Sequence, residues 1–209
     1  MGYPEDCNLS YSYSTPEGLR DYYDGVANYY DLFLQTNNYV LHKKVAEIFT
    51  AQWQDLVGSV LDVACGTGKL GLELRPNISS RVTLDGLDFS NNMIVEAENW
   101  RVYGTVHNIN LKGDLSSVQK YDAIVSSGAF TPGHLDADDL INLRALLHDG
   151  GRAFISVKKD HFEENNFAAK LQAAEESGLI VHIGFTEVLI WDSPSFTDTA
   201  IVVTFQKSE

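Results

Sequence analysis

The chain has 209 residues, 44% of them apolar and 21% charged, which suits one α/β domain with a full core and leaves no room for two catalytic domains. Its 15 basic and 29 acidic residues give a formal charge of −14, a field that repels a phosphate backbone and argues against nucleic acid as a partner. Cys7 and Cys65 are too few for a disulfide framework. There is no basic-then-apolar leader and no apolar run near the roughly 20 residues of a membrane span, so a cytoplasmic protein with no membrane partner is expected.

Residues 1–17 are polar, rich in Tyr, Ser and Pro, and carry no amphipathic period, which reads as a flexible leader. The segment 18–35 reads as an unusually aromatic helix. A second helix over 38–53 places Leu41, Val45, Ile48 and Phe49 on one face. Strands are then expected at 59–63, 83–88, 105–109, 121–127, 152–157, 182–191 and 199–205. Helical patterns lie between them. Leu70 and Leu74 run up to Pro76, and Met93, Ile94, Ala97 and Trp100 follow Ser90 as N-cap. Leu140, Leu143 and Leu147 follow acidic residues, and Phe167, Leu171 and Ala174 end near Gly178. This alternation implies a mostly parallel sheet covered on both faces by helices. The last two strands are joined by a short Ser/Pro/Asp loop with no room for a crossover helix, so they pair antiparallel if they are neighbours. The organisation is one domain over 18–209, with 18–55 a helical lid or cap.

The sharpest signal is Val60-Leu61-Asp62-Val63-Ala64-Cys65-Gly66-Thr67-Gly68-Lys69-Leu70-Gly71, which follows a strand and opens a helix. Glycines there allow a tight turn and close approach of a ligand to the backbone. Asp88 ends the next strand, 22 positions after Gly66, where a carboxylate can accept from both hydroxyls of a ribose. Gly66-x-Gly68-x-x-Gly71 also fits a dinucleotide fingerprint. The Asp62-x-x-Cys-Gly-Thr-Gly pattern, the long segment before it and the absence of a second domain favour S-adenosylmethionine over a nicotinamide cofactor.

In order along the chain, LDVACGTG, GLDFSNNM, GDL before YDAIVSSGAF, and HDGGRAFISV resemble the successive motifs of class I S-adenosylmethionine-dependent methyltransferases, a likeness covering about residues 20–206. YDGVANYYD at 23–31 and SGAFTPGHL at 127–135 resemble, more narrowly, the Williams-Beuren-region methyltransferase-like proteins. The resemblance implies a Rossmann-like seven-stranded sheet with the last strand antiparallel, and S-adenosyl-L-methionine as cofactor. It implies that Ala64, Cys65, Gly66 and Gly68 lie against the methionine and ribose. Asp88 would bind the ribose hydroxyls, with Phe89 and Met93 near the adenine. Asp114 and Leu115 would meet the adenine edge, and Ser127 and Gly128 the methionine end. Asp62 would order the loop rather than touch ligand. The Asn/Asp-Pro-Pro-Tyr/Phe tetrad of many adenine-N and amide-N methylating enzymes is absent; Ser126-Ser127-Gly128-Ala129 stands there.

Methyl transfer from a sulfonium needs orientation and exclusion of water, and a general base only where the nucleophile carries a proton. His134, after Thr131-Pro132-Gly133 in the loop beyond the fourth strand, is the candidate base; its alternative role is to order that loop. Tyr23 and Tyr30, seven apart, share a helix face that either closes over the cofactor or packs on the sheet. Tyr39, Thr131, Lys158 and Trp191 are candidates for the substrate pocket. His42 reads as core or surface filling. No spacing of His, Cys and Asp suggests a metal. The expected function is methyl transfer to an O, N or S atom of a small molecule. The alternatives are a nicotinamide-dependent enzyme of Rossmann type and a non-catalytic protein that only binds S-adenosylmethionine.

Overall fold

A computed structural model describes residues 10, 13, 15–53 and 58–209. The expected leader lies mostly outside the described residues, as do Cys7 and the end of the 18–55 segment. Helix α1 spans Pro16–Thr36 and starts two residues before its expected limit. Thr15 accounts for this as N-cap, its hydroxyl accepting from Gly18 N–H (3.2 Å), with Pro16 preset for the first turn. Helix α2, Leu41–Gln52, begins three residues later than expected because Asn38 takes φ +55° and Tyr39 bridges to Trp191. It buries Leu41, Val45 and Phe49, while Ile48 is half-buried.

The alternating part follows as β1 (Ser59–Val63), α3 (Lys69–Leu74), β2 (Thr83–Asp88), α4 (Asn91–Asn99), β3 (Val106–Asn108), β4 (Tyr121–Phe130), α5 (Ala137–Asn142), β5 (Leu147–Lys158), α6 (Lys159–Glu164), α7 (Phe167–Glu176), β6 (Ile180–Leu189) and β7 (Thr199–Lys207). Ser90 caps α4 as expected, accepting from Met93 N–H at 3.2 Å. Leu147 departs from its expected helical place. The helix after Asp136 closes in a short 3₁₀ turn at Leu143–Leu146, and Leu147 already pairs with Tyr121 as the first residue of β5.

The seven strands form one sheet in the order β3-β2-β1-β4-β5-β7-β6. β1 to β5 are mutually parallel, and β7 runs antiparallel between β5 and β6. Pleat alternation sends Val60, Ala123, Val125, Phe154 and Val202 to the face covered by α2 and α3. Leu61, Val63, Ile124, Ile155 and Val203 go to the face covered by α5 and α7. Both faces being buried, β1 is apolar throughout its interior except at Asp62. The strand order reverses between β1 and β4, so their carboxyl ends part and leave a crevice there. Among the described residues no helix is long and apolar enough to cross a membrane.

Candidate cofactor and substrate site

A cleft of about 1210 Å³, open to solvent, fills that crevice beneath α1. Its floor is the turn after β1, where Ala64, Gly66 and Gly68 all have positive φ (+54°, +55° and +87°). A β-carbon at Gly66 would meet nothing within 4 Å, so this backbone faces the open cleft. Asp88 fixes the turn from the end of β2. One carboxylate oxygen accepts from Gly66 N–H (2.8 Å) and the other from Ser90 N–H (2.9 Å). Burial raises the Asp88 pKa, and these N–H bonds oppose the shift. Each oxygen keeps a second lone pair, the capacity needed to accept from a diol.

Gly71, third in the fingerprint-like spacing, serves packing. A β-carbon there would stand 2.4 Å from the Tyr103 ring, which plugs the underside of the turn and bonds Asp62 (2.6 Å). Gly68 likewise abuts Tyr103 and Ala97 on one side. Its left-handed φ closes the turn by directing its N–H to the Cys65 carbonyl (2.9 Å). Burial pushes the Asp62 carboxyl up to about 7, although the Tyr103 hydroxyl favours its charged form. Cys65 is a buried free thiol.

The roof is α1. Tyr23 and Tyr30 line the cleft, as do Phe89 and Met93. Their neighbours Asp24 and Asp31 do the fastening. Asp24 accepts from Ser90 Oγ (2.6 Å) and Asn92 N–H (3.0 Å) at the start of α4. Asp31 accepts from Thr67 Oγ1 (2.5 Å) and pairs with Lys69 Nζ (2.9 Å). A Tyr-Asp pair repeated at seven residues was the available signal, since it sets both carboxylates on one helix face. Ala64, Cys65, Ser127, Gly128, Tyr39 and His134 also border the cleft.

His134 Nδ1 lies 3.1 Å from the Pro132 carbonyl and 3.0 Å from Thr131 Oγ1. A carbonyl only accepts, so the ring proton belongs on Nδ1, and Nε2 accepts from the Tyr23 hydroxyl at 3.1 Å. Burial lowers the His134 pKa, with the Pro132 carbonyl working the other way, so the ring is neutral at neutral pH.

Other expected contacts fall elsewhere. Asp114 is exposed and turned back on Ser116 N–H (2.8 Å) and Oγ (2.9 Å), while Leu115 packs on the core. β3 ends at Asn108 and the chain turns at Asn110–Gly113, so Ile109, Asn110, Leu111 and Lys112 line the cleft in their place. Thr131 orients His134 and does not line the cleft. Lys158 does not line it either, its amine lying 3.5 Å from Asp198. Trp191 is buried behind Tyr39, ring centroids 4.9 Å apart, and supports the wall rather than forming it. The sequence reading missed Asp24, Asp31, Thr67, Lys69, Tyr103, Asn110 and His42.

S-adenosylmethionine fits this donor set. Gly66 leaves space for it, Asp88 has acceptor capacity for the ribose, and two buried polar atoms without a hydrogen-bond partner among the described residues, His42 Nδ1 and Ser127 Oγ, belong to residues bordering the cleft.

Residues 61–153 match the family model described as a methyltransferase domain, a span just short of half the chain. No characterised protein matches by sequence comparison. Among solved structures, the plantazolicin methyltransferase BpumL in complex with SAH is similar at 14% identity over 98% of this chain and 96% of that one, TM-score 0.64. A proposed S-adenosyl-L-methionine-dependent methyltransferase from Methanococcus maripaludis gives 16% identity, 89% and 94% coverage and TM-score 0.64. The CurJ carbon methyltransferase gives 14% identity over 81% of this chain and TM-score 0.59; the present chain spans 55% of its length. At such identities the likeness is one of fold. The chain thus has the Rossmann-like methyltransferase fold, and its residues 61–153 are similar to a methyltransferase domain.

Proposed function

We propose that the protein transfers a methyl group from S-adenosylmethionine to an O, N or S atom of a small molecule held between Ser127–Gly128, His134 and Tyr39. The observation that carries this reading is the glycine turn opening into a cleft whose floor is Asp88 and whose roof is a fastened helix. Bound S-adenosylmethionine supplies an electrophilic methyl on a sulfonium. On this reading Asp88 holds the ribose, Ala64 to Gly66 hold the methionine chain, and Phe89 with Met93 flank the adenine. Asn110 and Leu111 meet the adenine edge, and Tyr23 and Tyr30 exclude water. His134, neutral near pH 7, takes the acceptor's proton on Nε2 once the Tyr23 hydroxyl yields that nitrogen.

The charge of the lining supports S-adenosylmethionine over a nicotinamide dinucleotide. The start of α3, where a pyrophosphate would sit, is flanked by Asp31 and by buried Asp62 and Asp88. The Asp31 carboxylate there suits a sulfonium better than a phosphate. The chain's net charge of −14 supports a small acceptor over nucleic acid. The narrower likeness to Williams-Beuren-region methyltransferase-like proteins rests on YDGVANYYD and SGAFTPGHL alone. Calorimetry with S-adenosylmethionine, S-adenosylhomocysteine and NAD tests the reading. Binding of NAD but of neither sulfur nucleoside would overturn it, and turnover against a metabolite panel separates an enzyme from a binding protein.

A further inference from the structure

His42 stands in the first turn of α2 and borders the cleft. It is 8% exposed, and its ring is stacked on Tyr39, centroids 5.5 Å apart and planes 11° from parallel. The Glu73 carboxylate lies 3.6 Å from Nε2. A carboxylate attracts a proton-bearing nitrogen, so the ring proton sits on Nε2 and Nδ1 is left with a bare lone pair. That Nδ1 is buried and, among the described residues, has no hydrogen-bond partner. A buried acceptor without a donor costs about 1–3 kcal/mol, which is reason to look for the donor in what fills the cleft. Burial, aided by Lys43 and Lys69, holds the ring neutral by depressing its pKa to about 4. The imidazole is therefore an acceptor throughout the physiological range.

We propose that His42 Nδ1 accepts a hydrogen bond from the ammonium of the cofactor's amino-acid end, while Lys69, across the same end of the cleft, meets its carboxylate. The proposal rests on the cofactor reading above. A zwitterion is the ligand chemistry that uses a neutral acceptor and a cation side by side. Lys69 is close enough for its charge to act on His42, and its amine already holds one carboxylate, that of Asp31. The stack on Tyr39 fixes the plane of the imidazole, so the lone pair has one direction.

Two nucleosides and two variants test this. S-adenosylhomocysteine carries the amino-acid end; methylthioadenosine has the same adenosine and thioether without it. Calorimetry on the parent, His42→Phe and His42→Gln should show His42→Phe weakening S-adenosylhomocysteine about tenfold or more, as for a charge-assisted hydrogen bond lost. Methylthioadenosine affinity should stay within about twofold, because its contacts are elsewhere and Phe keeps the stack on Tyr39. Gln, which retains an acceptor, should recover part of the loss. In the parent, the His42 ring resonances should move with S-adenosylhomocysteine and not with methylthioadenosine. Unchanged S-adenosylhomocysteine affinity in His42→Phe overturns the assignment, as does an equal loss for both nucleosides, which marks a packing role. A parent that binds neither nucleoside instead removes the cofactor reading, and this inference with it.

Discussion

The floor and the roof of the cleft are built by different means. The floor runs through consecutive residues, Asp62 to Lys69, and is held by bonds from its own strands: Gly66 N–H to Asp88, Cys65 N–H to Leu87, Gly68 N–H to Cys65. The roof is assembled across the chain. Tyr23 reaches His134 over a separation of 111 residues, Asp24 reaches Ser90 over 66, and Asp31 reaches Thr67 over 36. The floor thus depends on backbone conformation, which few residue types satisfy, and the roof on side-chain pairs, which many arrangements satisfy. Damage to the floor should remove binding, and damage to the roof should change turnover or closure.

The largest effect is expected at Gly66. Gly66→Val puts a β-branched side chain at φ +55° and projects it into the space the ligand needs, while touching no protein atom within 4 Å at its β-carbon. Calorimetry should show no binding of S-adenosylmethionine, with the far-ultraviolet spectrum largely kept. Normal affinity would move the cofactor away from the turn.

His134→Ala comes next and sharpens the contrast by sparing affinity. Turnover should fall by roughly 10²–10⁴ with cofactor affinity nearly intact, if Nε2 takes the acceptor's proton. Because burial depresses the His134 pKa, the base stays unprotonated down to below its ordinary value of 6.5. The parent's turnover should therefore hold from neutral pH to below 6.5 and fall on further acidification, and that limb should vanish in the variant. A variant with parent turnover would reduce His134 to ordering the loop.

Asp88→Ala removes the acceptor for the ribose and for two backbone N–H groups. S-adenosylmethionine should bind about 1.5–3 kcal/mol more weakly, as for a charged hydrogen-bond partner lost. A folded variant of unchanged affinity would end the assignment of Asp88 to the ribose.

The same contrast explains what could be read from the sequence. Strand positions and the antiparallel pairing of the last two strands follow from apolar runs and a short connection, and Asp88 follows from its distance to the glycine turn. Both are local properties. Gly71 completes a fingerprint-like spacing, but a turn glycine and a glycine that admits a neighbour's ring look alike in sequence; Tyr103, 32 positions on, decides between them. Asp114 is placed by motif likeness, but the last bond of this segment to β2 is from Ile109 N–H to the Asp88 carbonyl (2.9 Å), and the chain then turns at Asn110–Gly113. His42 had no signal of its own: Tyr39 is three residues away, but Lys69 and Glu73 reach it together from α3, about 30 residues on. Lys158 and Trp191, candidates for the substrate pocket, do not line the cleft: the Lys158 amine lies 3.5 Å from Asp198, and Trp191 is buried behind Tyr39.

The smallest effect is expected from loosening the roof at Asp31. Its carboxylate is 30% exposed, so its pair with Lys69 is screened by water, while the shorter bond from Thr67 Oγ1 is better protected, Thr67 being 2% exposed. Asp31→Asn keeps the size and one acceptor oxygen but removes the charge that both partners meet. A cost of about 1 kcal/mol is expected, and local opening of α1 is where it should appear. Amide exchange across 16–36 should quicken several-fold in the ligand-free variant, while exchange in β4 and β5 stays as in the parent, since those strands are paired on both sides. Adding S-adenosylmethionine should slow exchange in 16–36 in both proteins, because a ligand beneath Tyr23 and Tyr30 gives the helix a surface to close on. The variant, starting more open, should show the larger slowing and a modestly weaker affinity, since part of the binding energy then goes into ordering α1. If exchange over 16–36 is the same with and without ligand, α1 is a fixed wall of the cleft, and the difference between floor and roof is one of construction with no motion behind it.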